Sequence, residues 1–341
     1  MKILINCNLP FALTHGGQQI QVERTQAALQ SLGLEVELVR WWDDKQTGDI
    51  IHYVGRMPAA QIELAHRKGI KVVMAELLTA PGSRSGMQLR LQKIINRTLE
   101  SIAPEHFVAA FNWRSYRLAD ACIALTPWEA RLMTYLFKAP RENVHVVPNG
   151  VEEVFLQAPP AERGSWLVCT ATITQRKRVL ELAEAAVHAQ TPVWIIGKAY
   201  SESDAYAQAF FQLARQEPRW IRYQGALDNR AKLAQVYREA RGFVLFSAME
   251  SMSLSALEAA ACECPLLLSD LPWARSTFGE HARYCSVSPL KHTAKHLRAF
   301  YDQAPSLKPP PRPMTWLMVG RQLKELYEQL SRTPCQRRGR D

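Results

Sequence analysis

The sequence lacks the features that would place the protein within a membrane or outside the cell. It contains no run of about eighteen apolar residues, which is the length that a membrane-spanning helix requires. The stretch that begins at Met1 leads directly into an apolar, strand-like segment and does not have the layout of a secretory signal peptide. The seven cysteines are scattered and odd in number, which favours reduced thiols. We expect a cytoplasmic protein, soluble or peripheral on the inner face of the membrane.

Signatures of metal and dinucleotide binding are also missing. Cys262 and Cys264 form a C-x-C pair, but no second cysteine pair lies at metal-binding spacing. There is no Asp-x-Asp triplet to hold a divalent ion, and the adjacent Asp43 and Asp44 indicate a surface turn. Neither a G-x-G-x-x-G fingerprint nor a Walker loop occurs. We therefore expect no bound metal and no cofactor.

The composition describes a large, basic, globular chain. Its 341 residues suffice for two domains with separate cores, and 47% of them are hydrophobic. The net charge of +10 favours acidic partners such as nucleotide phosphates, anionic lipid or nucleic acid. Because no DNA-binding or RNA-binding module is recognisable, we do not expect a nucleic-acid partner.

Short apolar strands alternate with longer helical patterns, which predicts an α/β protein with parallel sheets covered by helices. The strand candidates of the first half are residues 2–7, 35–41, 50–54, 71–75, 121–125 and 144–147. Those of the second half are residues 165–170, 193–196, 220–223, 242–246, 265–269 and 282–286. We predict two doubly wound domains.

Turn-forming residues place the predicted domain boundaries. They concentrate at 148–150 and 159–160, and a proline-rich stretch precedes a final helix. The predicted organisation is an N-terminal domain over 1–155, a C-terminal domain over 160–312, a helix over about 314–330 that returns to the first domain, and a disordered basic tail over 331–341.

The most informative stretch holds two carboxylates eight residues apart, Glu250 and Glu258. A strand-like run precedes them and a buried strand follows, so we expect both acids near the carboxyl end of a parallel strand. The backbone N–H groups of residues 251–253 would begin the helix and could hold an anion. Glu258 could accept two hydrogen bonds from a ribose diol. Together these features suggest a nucleotide ligand, and a nucleotide-sugar fits well.

Two other loops add candidate residues. Arg176 and Lys177 precede a predicted helix, where the helix dipole disfavours cations unless an anion lies nearby. Gly16 and Gly17 follow the first strand and open a helix, which allows close approach of a phosphate or sugar, and His15 stands beside them. Each candidate also has a purely structural interpretation, as a capping carboxylate, a basic helix start or a bare turn.

Four segments in order carry a family resemblance. They are the His15-Gly-Gly17 loop with its helix over 19–32, the Pro-Asn-Gly-Val-Glu run at 148–152, the basic loop at 172–178, and the region at 242–265 with its E-x7-E spacing and Leu-Glu-Ala triplet. Over residues 1–330 the chain resembles a retaining glycosyltransferase of the GT-B fold, of the family 4 or group 1 type. The resemblance implies two Rossmann-like domains facing a central cleft.

The resemblance also implies roles for residues. The C-terminal domain would bind a nucleotide-diphosphate sugar and the N-terminal domain a glycan or lipid-linked acceptor. Glu250 would contact the donor sugar, and Lys177 with Arg176 would stabilise the leaving diphosphate without a metal. Further donor contacts are implied for Glu258, Ser251, Met252, Ser253, Leu254, Gly16 and Gly17, with sugar or acceptor contacts for His15 and Glu76.

The chain departs from the family pattern at several positions. Ser251 and Ser253 replace glycines, Thr172 replaces an arginine, and Glu76 stands where many members have a histidine nearby. Two other functions therefore stay open: a catalytically silent nucleotide-sugar-binding subunit, and a sugar-nucleotide epimerase on the same fold.

Residues 84–99 form an amphipathic helical pattern. Met87, Leu91, Ile94, Ile95 and Leu99 share one face of the predicted helix, and Arg90, Lys93 and Arg97 share the opposite one. Such a helix could lie on an anionic membrane surface. The interpretation we favour from sequence is a surface helix whose apolar face packs into the core.

Overall fold

The structure is a computed structural model that describes residues 1–7, 11 and 16–332. The chain divides into two compact units. Unit 1 comprises residues 1–149 and the chain from Trp316 to the end of the described part, and unit 2 comprises Gly150–Thr315. Each unit contains a six-stranded sheet whose paired strands all run parallel.

Unit 1 has the strand order β2-β1-β3-β4-β5-β6. Its strands are β1 (Lys2–Cys7), β2 (Glu35–Leu38), β3 (Ile50–Val54), β4 (Lys71–Ala75), β5 (Ala121–Ala124) and β6 (Val144–Val146). Its helices are α1 (Gly17–Ser31), α2 (Ala59–Arg67), α3 (Thr79–Gly82), α4 (Gly86–Ile102), α5 (Glu105–Ala110), α6 (Ser115–Leu118), α7 (Pro127–Phe137) and α15 (Trp316–Arg332), with a 3-10 helix at Arg141–Asn143.

Unit 2 has the strand order β12-β11-β10-β7-β8-β9. Its strands are β7 (Leu167–Thr170), β8 (Val193–Ile196), β9 (Ile221–Tyr223), β10 (Gly242–Leu245), β11 (Leu266–Ser269) and β12 (Arg283–Cys285). Its helices are α8 (Glu153–Gln157), α9 (Val179–His188), α10 (Ala205–Gln216), α11 (Arg230–Glu239), α12 (Leu254–Ala261), α13 (Pro272–Phe278) and α14 (Leu290–Gln303), with 3-10 helices at Gln175–Lys177, Gly279–His281 and Ala304–Ser306.

The core of unit 2 is built around its central strands. β10 and β11 are buried along their whole length, and the run Leu-Leu-Leu-Ser of β11 is apolar on both faces, as expected for a parallel strand covered by helices on each side. α12 contributes five buried alanine and leucine side chains from six consecutive buried residues. Small side chains there allow the helix to lie close to the sheet.

Strand positions agree with the predicted ones, and the differences occur at the ends. β2 stops at Leu38 because residues 40–46 form two turns, and the Arg40 side chain there bonds Glu37 and Asp43. α15 begins at Trp316 rather than 314 because Thr315 is still extended, forming an isolated parallel bridge with Val151.

The loop that follows β7 passes very close to a glycine in the loop that follows β8. Gly197, directly after β8, has φ +155°, and a Cβ atom built there would lie 1.9 Å from the carbonyl oxygen of Ala171. Ala171 and Ile173 in turn donate backbone hydrogen bonds to Ile196 and Lys198. Only glycine fits this close approach of two backbones.

We predict that Gly197→Ala lowers the free energy of unfolding of unit 2 by about 2–3 kcal/mol, because both the φ angle and the contact with Ala171 become strained. Chemical denaturation followed by circular dichroism measures this. Gly225→Ala is the matched control, since Gly225 has φ +80° but nothing within 4 Å of the added Cβ. Equal losses in the two variants would show that the contact with Ala171 does not matter.

Candidate functional site

The candidate site lies where the strand order of unit 2 reverses. β7 lies between β10 on one side and β8 on the other, so the connections that leave β7 and β10 turn to opposite faces of the sheet. In open α/β sheets this position leaves a crevice at the carboxyl ends of the strands, where ligands bind. The basic loop follows β7, and the segment that contains Glu250 follows β10.

Glu250 joins these two loops through one carboxylate oxygen. Its Oε1 accepts hydrogen bonds from Lys177 Nζ at 2.5 Å, Ser247 Oγ at 2.6 Å and Arg176 Nη1 at 3.1 Å. Arg176 also donates to the carbonyl oxygen of Met249 at 2.8 Å. The structure therefore brings together Glu250, Lys177 and Arg176, the three residues that the sequence singles out as catalytic candidates.

Backbone contacts hold the same two loops. The amide of Ala248 donates to the carbonyl oxygen of Arg176 at 2.8 Å, and Ser269 Oγ in β11 donates to the carbonyl oxygen of Ser247 at 2.6 Å. Between the 3-10 helix and α9, Arg178 has a left-handed backbone with φ 51°. A non-glycine residue in this region is strained, and the surrounding contacts must hold it there.

The charge balance around Glu250 favours an anion. Burial raises the pKa of the Glu250 carboxyl, but Lys177 and Arg176 outweigh that effect, and the net pKa lies below the ordinary value. Glu250 is therefore ionised at neutral pH. Two cations against one carboxylate leave one net positive charge at the carboxyl edge of the sheet.

The predicted start of the helix at 251–253 is wrong by a few residues. α12 begins at Leu254, and Ser253 is its N-cap, with Oγ accepting from the amide of Ala256 at 3.4 Å. The Ser253 hydroxyl thus satisfies one of the first-turn amides, as an N-cap serine does. Ser251 and Met252 consequently belong to the loop before the helix, next to Glu250.

Glu258 lies in the second turn of α12 and is buried. Its Oε1 is ion-paired with Arg230 Nη2, and its Oε2 lies 3.4 Å from the hydroxyl of Tyr237. Arg230 begins α11 and also bonds Glu152 Oε1 through Nε at 2.7 Å. Its guanidinium lies over the ring of Phe155, 4.7 Å from the centroid.

The electrostatics of Glu258 differ from those of Glu250. Burial raises the pKa of the Glu258 carboxyl, and the attraction of Arg230 only partly offsets it, so the net pKa lies above the ordinary value. The carboxylate is thus less well solvated by the protein than it would be by water. Additional hydrogen-bond donors near Oε2 would favour its ionised form.

Arg230 and Glu152 were not among the residues predicted from sequence. Arg230 stands first in α11, where the helix dipole disfavours a cation. The same argument singled out Lys177 and Arg176, and it would have identified Arg230. Glu152 ends the Pro-Asn-Gly-Val-Glu run that contributes to the family resemblance, but the sequence does not show its pairing with Arg230, because 78 positions in the chain separate the two residues.

Glu76 lies in unit 1 at the carboxyl end of β4, and its carboxylate already has several partners. Arg56 forms a bidentate pair with it, at 2.7 and 2.9 Å, and the buried Tyr116 hydroxyl donates a third bond. Arg56 follows β3, and its guanidinium lies 5.2 and 4.7 Å from the ring centroids of Tyr116 and Phe137, which are stacked on each other. The role of Glu76 as a sugar or acceptor contact stays a prediction.

The remaining predicted residues also belong to unit 1. Gly16 is the N-cap of α1, with φ 137°, and Gly17 is the first helical residue. Only glycine readily adopts the backbone of Gly16, which supports a tight entry into the helix. His15 lies outside the described residues. Among residues 1–7, 11 and 16–332, no three His, Cys, Asp or Glu side chains group as they would around a metal ion.

Comparison with known families identifies the chain. Residues 164–303 match the family described as glycosyl transferases group 1, and residues 38–150 match the glycosyl transferase 4-like domain. The chain belongs to the group 1 glycosyltransferases. No curated protein sequence is significantly similar to it.

Solved structures confirm that this glycosyltransferase has the GT-B fold. HepE from Anabaena, crystallised in complex with UDP, superimposes with a TM-score of 0.68 at 13% identity, covering 96% of this chain and 100% of HepE. Sucrose-phosphate synthase from Thermosynechococcus elongatus has a TM-score of 0.67 at 16% identity, with 97% and 99% coverage. The lipopolysaccharide outer core galactosyltransferase WaaB has a TM-score of 0.62 at 13% identity, with 96% and 100% coverage.

We predict that Arg230→Gln destabilises this glycosyltransferase at neutral pH by about 2 kcal/mol, because Glu258 then remains buried without its cation. The pKa of Glu258 would rise further above 4.5. A raised folded-state pKa gives stability that is present at low pH and lost as the pH rises through it, so the deficit should shrink on acidification.

Urea denaturation across a pH series measures this deficit. The control is the Arg230→Gln/Glu258→Gln double variant, which lacks the buried charge and should be more stable than Arg230→Gln at neutral pH. Their difference should vanish toward pH 4.5, the ordinary carboxyl pKa. A pH-independent difference would show that the charge on Glu258 is not the cause.

Proposed function

We propose that the chain transfers a sugar from a nucleoside-diphosphate sugar to an acceptor hydroxyl, with retention of anomeric configuration and without a divalent metal. Unit 2 would bind the donor, and unit 1 would supply the acceptor site. Family membership supports the reaction class, and the residues around the strand reversal of unit 2 support the choice of donor.

One observation carries the proposal: Lys177 Nζ and Arg176 Nη1 converge on Glu250 Oε1 at the carboxyl ends of β7 and β10. Lys177 and Arg176 lie 73 and 74 positions before Glu250 in the chain, in a different loop. A site with net positive charge at a strand reversal is suited to a diphosphate.

The positive charge would act on the leaving group. As the bond between the sugar C1 and the diphosphate oxygen breaks, negative charge grows on the diphosphate, and Lys177 with Arg176 would stabilise it. The new bond forms between C1 and the acceptor oxygen on the same face of the sugar. The acceptor proton passes to the departing phosphate oxygen, so the reaction needs no separate protein base.

Glu250 and Glu258 would have different tasks. Glu250 holds the two cations side by side and would contact hydroxyl groups of the donor sugar. Glu258, whose pKa is raised chiefly by burial, would accept hydrogen bonds from the ribose diol at Oε2, where the Tyr237 hydroxyl lies 3.4 Å away. Ser251, Met252, Ser253 and Leu254 would present loop and helix-start amides to the diphosphate.

The structures of related fold suggest the first ligand to test. HepE was crystallised with UDP and with UDP-glucose, and a pneumococcal O-GlcNAc transferase was crystallised with UDP and GlcNAc. A uridine donor is therefore the first choice here. The acceptor would be a glycan or a lipid-linked sugar, approached by Gly16, Gly17, His15 and Glu76 of unit 1.

We predict that Lys177→Met lowers sugar transfer by about 100-fold or more, because the leaving diphosphate loses the less exposed of the two cations that would stabilise it. The donor is first chosen by thermal shift against a panel of nucleotide-sugars. Release of the nucleoside diphosphate is then followed with candidate acceptors, and UDP affinity is measured by calorimetry. Lys232→Met is the matched control, since Lys232 is exposed on α11 of the same unit.

The other two functions predict different results in the same assays. An epimerase would convert the nucleotide-sugar without any acceptor, and a silent subunit would bind the donor without turnover. Either result would overturn the proposed transfer. Normal activity in both Lys177→Met and Glu258→Ala would reject the site itself.

A further inference from the structure

The apolar face of α4 is exposed, contrary to the expectation that it packs into the core. Met87 is 82% exposed, Ile94 62% and Leu91 59%. Ile95 and Ile102 on the same side are also exposed. The inner face is formed instead by Leu89 and Asn96, which are buried.

The residues that anchor α4 explain this orientation. Leu89 joins a core cluster with residues of α7, and Leu99 packs against the same cluster. Asn96 donates to the carbonyl oxygen of Leu136 at 3.4 Å. A capping box of Ser85 and Gln88 fixes the first turn. The helix is thus firmly attached while its more apolar face points outward.

The outward residues form a continuous stripe. Met87, Leu91, Ile94, Ile95 and Ile102 recur at helical spacing, and the stripe extends over about 22 Å. Monomeric soluble proteins rarely expose contiguous apolar patches of this kind unless the patch has an interaction partner.

Positive charge lies along one flank of the stripe. Arg90, Lys93 and Arg97 follow one another at spacings of three and four, and no acidic residue occurs between positions 77 and 99. The ammonium of Lys93 lies 4.0 Å from the centroid of the Tyr135 ring on α7. Arg90 is exposed and forms no ion pair with any residue in the described part of the chain.

The end of the helix adds to this excess. Glu100 is shared by three cations, Arg97 at 3.5 Å, Arg117 at 3.1 Å and Lys138 at 2.5 Å. Arg97 already belongs to the basic flank, so Arg117, Lys138 and Glu100 together add a net charge of +1. The apolar stripe is therefore bordered by positive charge along the length of α4.

We propose that this face of α4 binds the surface of an anionic phospholipid bilayer, with the stripe in the acyl boundary and the basic flank at the headgroups. A helix that carries large apolar residues on one face and cations beside them is suited to the bilayer interface. No helix in the described part of the chain is long and apolar enough to cross a membrane, so the contact is peripheral.

A second copy of the chain fits the same face poorly. Pairing two α4 helices about a two-fold axis would bring Arg90 and Lys93 near the same residues of the other copy. The stripe offers no carboxylate between positions 77 and 99 to compensate these charges. Like charges across an interface oppose association.

Co-sedimentation with phosphatidylcholine vesicles, with and without phosphatidylglycerol, tests the proposal on the full chain. We expect binding to the anionic vesicles that weakens as salt is added. Leu91→Ser/Ile94→Ser should reduce the partition coefficient by about tenfold or more, because the inserted apolar area is lost. Its matched control is Leu290→Ser/Met318→Ser, which alters two exposed apolar residues elsewhere.

The charge contribution is tested by Arg90→Gln/Lys93→Gln, for which we expect about fivefold weaker partition for each charge removed. Lys291→Gln/Lys308→Gln lowers the net charge equally at exposed positions elsewhere and should bind as the unaltered chain does. Unchanged thermal unfolding would show that the α4 variants remain folded, as expected for exposed positions.

Three results would overturn the proposal. They are no sedimentation with anionic vesicles at low salt, an equal decrease of the partition coefficient in test and control variants, and equal binding to vesicles with and without phosphatidylglycerol. Concentration-dependent dimerisation that Leu91→Ser/Ile94→Ser abolishes, without vesicle binding, would assign the face to a second copy. None of these measurements needs a sugar donor, so they stand apart from the test of sugar transfer.

Discussion

The ionised carboxylate of Glu250 is the contact on which the site in unit 2 depends. Arg176 and Lys177 are neighbours in sequence, and without a carboxylate that accepts hydrogen bonds from both their positive charges would repel each other. Because Glu250 comes from the loop after β10, the same interaction joins the connections that leave two adjacent strands. Neutralising Glu250 would therefore disturb the position of both cations as well as the local charge.

The fold could be predicted largely from sequence because parallel strands buried on both faces leave short apolar runs that are easy to recognise. β4 and β11 are such runs, and both were placed within a residue of their observed ends. Boundaries that depend on contacts outside the run were less predictable. β2 ends early because Arg40 bonds residues that lie after it, and α15 starts late because Thr315 pairs with Val151.

The site was predictable to the extent that its parts are local. The spacing of Glu250 and Glu258 and the basic turn at Arg176 and Lys177 are visible in the sequence. The ion pair of Glu258 with Arg230 was not visible, because it depends on how α11 and α12 pack. The periodicity of α4 shows an apolar face and a basic one. It does not show which face the rest of unit 1 covers, because Leu89 and Asn96 decide that.

The two crossings between the units lie side by side. The amide of Val151, near the beginning of unit 2, donates to the carbonyl oxygen of Met314, near its end, at 2.8 Å. A domain whose ends adjoin can be inserted into, or removed from, a host chain with little disturbance to either core. Unit 2 has its own sheet and its own core cluster. The ends of the segment Gly150–Thr315 are therefore natural boundaries for producing unit 2 as an independent protein.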